Sequence, residues 1–228
     1  YIGDNDCYKP DRRLELPGHS PGSIIPADFN DDGYTDILLF NDGEDQPQNL
    51  PPSTIFWGGK GGIDPKNFTD IPSYLSWGGQ VGDVNKDGYL DIIATSSNQR
   101  PELNKNTVTV FYGSEKGYSL DNSLTIEIAP GDEPCGLLWP LLADFNNDGW
   151  LDLFVPISHK TYSLILWGGP EGFLLDRCQK LPVERALTAR AADLNGNGWL
   201  DIVIGTRSSL FKNKNQEGSV VIFWGGPE

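Results

Sequence analysis

One pattern recurs four times in this chain and leaves little freedom in how it folds. It reads DFNDDGYTD from Asp28, DVNKDGYLD from Asp83, DFNNDGWLD from Asp144 and DLNGNGWLD from Asp193, at separations of 55, 61 and 49 residues. Each copy follows a short β-prone segment, such as Ser23-Ile24-Ile25-Pro26-Ala27, and runs straight into aliphatic residues such as Ile37-Leu38-Leu39. A second element recurs between the copies: Trp57-Gly58-Gly59, Tyr112-Gly113-Ser114, Trp167-Gly168-Gly169 and Trp224-Gly225-Gly226. A looser third follows it, as RRLELPG at 12–18, NFTDIPSYL at 67–75, NSLTIEIAPG at 122–131 and CQKLPVERA at 178–186.

Each unit therefore predicts four short strands. One ends just before the acidic loop, a second starts at the loop's last Asp, a third ends at the Trp/Tyr-Gly element, and a fourth leads back. No segment shows a convincing helical period. Four-stranded units recurring at about 50 residues are the signature of β-propeller blades. The expected architecture is all-β: a single propeller domain or segment of antiparallel four-stranded blades, with repeats at about 1–59, 60–113, 114–168 and 169–228. Tyr1-Ile2-Gly3 stands in the register of Trp-Gly-Gly, so the chain reads as four whole repeats starting on a fourth strand and ending on a third. Either a closed ring or a contiguous arc of a larger one has this phase. The lack of Met and the three cysteines (Cys7, Cys135, Cys178) favour the arc. Those cysteines fit no zinc spacing and permit at most one internal disulfide.

Composition supports a folded, turn-rich β chain: 38% hydrophobic residues with 27 Gly and 17 Pro. The formal charge of −15 excludes a nucleic-acid partner, which needs clustered Lys and Arg. No apolar run approaches the roughly 18 residues of a spanning helix, so no membrane insertion is expected.

Aligned on their first residue, the loops carry oxygen side chains at fixed places. Position 1 is Asp28, Asp83, Asp144 and Asp193; position 3 is Asn30, Asn85, Asn146 and Asn195. Position 5 is Asp32, Asp87, Asp148 and Asn197, and position 9 is Asp36, Asp91, Asp152 and Asp201. Position 6 is always Gly, which reaches the left-handed turn conformation without steric cost. Such a set suits Ca²⁺, which takes 6–8 oxygen ligands. The backbone carbonyl of position 7 (Tyr34, Tyr89, Trp150, Trp199) would complete it. An EF-hand is excluded, because position 12 is Leu39, Ala94, Val155 or Ile204, not a bidentate Glu. A plain Asp-Gly hairpin with solvated acids is the bland alternative. Four loops in the same register argue against it, since so many carboxylates without a cation would repel one another. Up to four Ca²⁺ are expected, with the fourth weaker because Asn197 removes a carboxylate. Four bound ions would move the formal charge from −15 to −7. Mg²⁺ suits such loops less, because it demands tight octahedral geometry.

D-h-N-x-D-G-h-x-D loops between strands, with FWGG-type strand ends, resemble the FG-GAP/VCBS repeats of the integrin α-subunit head and of many secreted or surface propellers. The resemblance covers essentially the whole chain. It implies a Ca²⁺ between the first and second strands of each blade, held by the residues named above, in rings of about seven blades.

Function is less constrained. The expected role is an extracellular or cell-surface module for recognition, adhesion or scaffolding, with structural Ca²⁺. Its partner would be a protein or glycan, or further repeats of the same polypeptide or other subunits. Acidic pairs that repeat in every unit do not mark a single catalytic site. The enzymatic alternative is a polysaccharide lyase, with a cluster around His159, Tyr162 and Arg190; a lectin is the other. Trp77 and Trp139, just before loops two and three, read as core packing ahead of ligand stacking. Trp57, Tyr112, Trp167 and Trp224 read as structural. Asn67-Phe68-Thr69 is a glycosylation sequon.

Overall fold

The computed structural model describes residues 13–43, 50–96, 106–128, 135–207 and 218–227. Strands β1 (Pro21–Ala27), β2 (Asp36–Asn41), β3 (Pro52–Phe56) and β4 (Phe68–Tyr74) form the first sheet. The second comprises β5 (Ser76–Gly82), β6 (Asp91–Ser96), β7 (Thr107–Phe111) and β8 (Ser123–Glu127). The third comprises β9 (Leu141–Ala143), β10 (Asp152–Val155), β11 (Ser163–Leu166) and β12 (Cys178–Leu181). Among the described residues the fourth has three strands, β13 (Ala186–Ala192), β14 (Asp201–Thr206) and β15 (Val220–Phe223). Every sheet is an antiparallel meander, and the first strands lie side by side in the order β1, β5, β9, β13. This is an arc of β-propeller blades.

The strand reading of RRLELPG is corrected. Residues 13–18 carry no strand, and no described strand lies beside them to share a ladder. Leu14 faces solvent, and Arg13 pairs with Glu15 at 2.9 Å instead. Tyr1-Ile2-Gly3 and Cys7 lie outside the described residues.

The acidic loops close the first hairpin of every sheet. The residue before the loop pairs with the loop's ninth residue: Ala27 with Asp36, Gly82 with Asp91, Ala143 with Asp152, Ala192 with Asp201. The second strands of the two inner sheets are covered on both faces by neighbouring sheets, so they read as continuous apolar runs, as in Leu153-Phe154-Val155, all buried. First strands converge and need small residues. A Cβ on Gly22 would stand 2.5 Å from the Trp77 carbonyl oxygen, and one on Gly79 would stand 2.3 Å from the Phe40 ring. Trp139 donates its indole N–H to the Gly22 carbonyl at 3.0 Å, and its ring packs against Gly78. Trp139 is thus spent on packing across the first strands.

Three apolar cores lie between successive sheets. Two of them are sealed by an aromatic side chain six residues after the Trp/Tyr of the Trp/Tyr-Gly element. Tyr118 meets Phe29 edge-on, with centroids 6.3 Å apart, and donates its hydroxyl to the Leu90 carbonyl at 2.8 Å, between the first and second sheets. Phe173, only 2% exposed, sits in the core between the second and third sheets with Val84 and Val110. Arg177 braces that turn by donating to the Gly172 carbonyl at 2.7 Å. Removing the Phe173 ring leaves a cavity that rigid sheets on either side cannot close. Phe173→Ala is therefore expected to lower unfolding free energy by about 3–5 kcal/mol, read from urea denaturation, and Phe173→Leu by much less.

Candidate metal centre

Each acidic loop curls twice through the left-handed region. Position 4 does so at Asp31, Lys86, Asn147 and Gly196, with φ of 56°, 61°, 57° and 74°. Position 6 follows at Gly33, Gly88, Gly149 and Gly198, with φ of 84° to 92°. The curl turns backbone N–H groups inward onto the side chains. Asp28 accepts the N–H of Asp32 at 3.1 Å and of Gly33 at 2.8 Å. Asn30 Oδ1 accepts the Asp32 N–H and its amide donates to Asp32 Oδ2; Asp32 Oδ1 in turn accepts the Tyr34 N–H at 2.9 Å. Loops two and three repeat every one of these bonds.

Loop four departs at the residue that differs. Asn197 Oδ1 accepts the Trp199 N–H, as an aspartate would, but its amide donates to the Gly225 carbonyl at 3.0 Å. A neutral side chain thus ties the loop to the end of β15. Asp193 accepts three N–H groups, and Gly198 foremost, helped by Gly196, Asn197 and Asn195, holds its carboxyl below the usual range.

The ninth residue behaves differently from the others. Asp36, Asp91, Asp152 and Asp201 have no exposed surface. One oxygen of each accepts the N–H of loop position 2 (Phe29, Val84, Phe145, Leu194) at 2.8–2.9 Å. The other accepts the N–H of the first glycine in the Trp/Tyr-Gly element (Gly58, Gly113, Gly168, Gly225) at 2.7–2.8 Å. A buried carboxylate is costly unless hydrogen-bonded, and here both oxygens are. The glycine is required because a Cβ there would stand 2.2–2.4 Å from the carbonyl oxygen of loop position 8 (Thr35, Leu90, Leu151, Leu200). The two recurrent motifs are two halves of one clamp. Burial pushes the Asp91 carboxyl up to about 6 against the pull of Gly113 and Val84, with Asp87 and Asp83 adding to the rise. Burial does the same to Asp152, also to about 6, with Asp148 and Asp144 adding.

Among the described residues, no three His, Cys, Asp or Glu side chains converge as a ready-made metal cluster. The donor chemistry nevertheless fits a hard cation. Positions 1, 3, 5 and 9 bring carboxylate and amide oxygens onto one curled loop. In the first three loops each carboxylate oxygen takes one N–H and retains a second lone pair.

Position 4 adds a contact that is invisible from a single loop. Asp31 faces solvent. Lys86, however, lays its ammonium 4.0 Å from the Trp150 ring of loop three, and Asn147 donates to the Gly198 carbonyl of loop four at 3.1 Å. Adjacent loops are thereby linked. In sequence, position 4 reads Asp31, Lys86, Asn147 and Gly196, with no repeated residue type to signal the contact.

His159 and Tyr162 lie in the connection between β10 and β11, and Arg190 lies on β13. The N–H of His159 donates to the Cys135 carbonyl, Tyr162 lies under Lys180 at 4.5 Å, and Arg190 on β13 donates to the Ala189 carbonyl at 2.7 Å. Trp57, Tyr112 and Trp167 pack on the cores as expected, whereas Trp224 is 63% exposed.

An arc of four-stranded blades with an acidic loop at each first hairpin defines a propeller-repeat protein. The model of the FG-GAP-like repeat matches residues 28–94, 83–155 and 144–204, and the chain belongs to that family. It is 30% identical over 183 residues to human phosphatidylinositol-glycan-specific phospholipase D, covering 70% of this chain and 22% of that protein. It is 24% identical over 200 residues to the rat T-cell immunomodulatory protein, covering 85% and 31%. The chain thus spans between a fifth and a third of the length of these curated relatives. Among solved structures, the V. cholerae biofilm matrix protein Bap1 matches with a TM-score of 0.51 at 19% identity, over 87% of this chain and 26% of that one. BBS1N in its complex with ARL6DN matches with a TM-score of 0.51 at 11% identity, over 84% and 53%. These two likenesses concern the fold.

Breaking the clamp tests its weight. Asp152→Ala removes the acceptor of two backbone N–H groups, and should cost about 2–4 kcal/mol in thermal unfolding with EDTA present. Gly168→Ala, which puts a methyl 2.2 Å from the Leu151 oxygen, should destabilise without altering any charge.

Proposed function

We propose that this chain is an extracellular, calcium-stabilised propeller module whose loops serve structure and whose surface serves recognition or adhesion. The observation that carries it is the fourfold recurrence of one oxygen set on one loop geometry, each copy locked to its sheet by the ninth aspartate. The ligands would be Asp28, Asn30, Asp32 and Asp36 with the Tyr34 carbonyl, and their counterparts in loops two, three and four. Bound Ca²⁺ supplies charge neutralisation where acids crowd a buried carboxylate. The loops themselves already hold the oxygens in place through their backbone N–H groups.

Two further observations support the reading. No described helix is long and apolar enough to cross a membrane. The sites repeat in every blade, whereas a catalytic centre occurs once. The phospholipase relative is named for an enzyme, but the chain matches about a fifth of its length. That relation supports an accessory role for such repeats and assigns no catalysis to them. The exposed apolar residues of the fourth sheet, Leu194 at 52% and Ile222 at 39%, correspond to Phe145 and Ile165, which the next sheet covers in blade three. That face supports a partner made of further repeats or another subunit.

Saturation at a hundred times Kd adds about 2.7 kcal/mol per site. Melting temperature should therefore rise with Ca²⁺ and fall on EDTA; an unchanged transition would remove the calcium reading. Calorimetric titration should show a weaker site that Asn197→Asp strengthens and Asp193→Ala abolishes.

A further inference from the structure

Opposite the acidic loops lies the end of each blade where the first strand starts and the second strand stops. Eight residues before the first loop residue, every blade turns through the left-handed region: Ser20, Leu75, Gly136 and Arg185, with φ of 48° to 66°. Four unlike side chains serve that turn, so the fold does not require the arginine of the fourth copy. Its neighbours are also basic. The Arg185 N–H donates to the Lys160 carbonyl at 3.4 Å, and the Arg207 N–H donates to the Arg185 carbonyl at 3.2 Å. Three cationic residues from separate stretches thus meet through their backbones, in a chain of formal charge −15. Arg185 and Arg207 line a cleft of about 210 Å³ together with Pro182, Glu184, Thr206 and Ser219. The equivalent space between the first and second sheets is also open, at about 310 Å³, but there Leu75, Tyr74 and Ser96 stand for Arg185, Glu184 and Thr206. Both of those sheets have all four strands, so the opening belongs to the repeat and its charge to this copy.

We propose that this cleft binds the carboxylate of a uronic-acid residue in an acidic polysaccharide. The site gives the recognition role proposed above, on which it rests, a surface and a ligand class. Arginine presents a planar fork that matches a carboxylate, and it stays charged at any physiological pH. Arg207 is half-buried, and among the described residues no acid pairs with it. The Thr206 and Ser219 hydroxyls stand 3.0 Å apart in the same lining, placed for the hydroxyls that flank a sugar carboxylate. An acidic peptide side chain brings no such hydroxyls. The acidic loops do not cancel the site. The strand β14 separates Asp201 from Thr206, which at about 3.4 Å per residue is roughly 17 Å. That is twice the screening length of about 8 Å at physiological salt. Glu184 opposes the anion from within the lining, which makes it a probe of opposite sign.

The test is calorimetric titration of the whole chain, in buffered Ca²⁺, with trigalacturonate, a neutral galactose trimer and triglutamate. Trigalacturonate should bind, and the other two should bind far more weakly. Arg207→Gln should weaken trigalacturonate roughly tenfold or more, the loss of one charge-assisted pair. Glu184→Gln should tighten it several-fold; because Glu184 is exposed, this variant keeps the test decisive whatever Arg207→Gln does to folding. Absence of trigalacturonate binding would overturn the proposal, as would triglutamate binding equally well with the same dependence on Arg207. Binding of the neutral trimer, or of trigalacturonate through calcium at the loops, would be indifferent to both substitutions. Either result would remove this site and leave the recognition role standing.

Discussion

A buried aspartate with two backbone N–H groups on its oxygens holds each blade in register. It sits at the pair that closes the first hairpin, reaches back to the second residue of the loop, and reaches across to the glycine that ends the third strand. Three of a blade's four strands are therefore fixed relative to one another by a single side chain. An ionised carboxylate in such a place is tolerable only because both oxygens are satisfied. The surroundings still oppose the charge, which is why Asp91 and Asp152 hold their protons to about 6. The same residue is a proposed calcium ligand, so ion binding and strand register act through one group.

Much of this was legible in the sequence. The loop and strand phases follow from local rules: a left-handed glycine, oxygen side chains at positions 1, 3, 5 and 9, and apolar residues directly after. The strands begin at Asp36, Asp91, Asp152 and Asp201, as that pattern requires. What escaped was the division of labour among the acids. Position 9 looks like positions 1 and 5 in sequence, yet it is fully buried, while position 1 is half-buried in the first three loops and position 5 is exposed, because only position 9 falls inside the sheet ladder. Its glycine partner lies 16 to 24 residues away, and only the joint recurrence of both motifs links them.

Other gaps have the same origin in tertiary context. Trp224 reads like Trp57 and Trp167, but burial depends on which sheet lies alongside, and that is not encoded at the residue. Residues 13–18 have a strand-like pattern, but among the described residues no strand pairs with them. Position 4 seemed free to vary within its own loop. In the arc Lys86 and Asn147 reach the next loop, so a residue one repeat away bears on what stands there.

The aromatic seals between sheets have a consequence for how such a chain is synthesised. The interface between the second and third sheets draws on residues from Val84 to Phe173, and its seal is the last of these. The two inter-sheet spaces sealed by Tyr118 and Phe173 are thus each closed by a side chain that leaves the ribosome after the buried residues of its walls. Assembly can advance in one direction, one compartment at a time, with no need to wait for a distant terminus. An all-β protein, usually slow because its pairings are remote, becomes here a sequence of neighbourly steps.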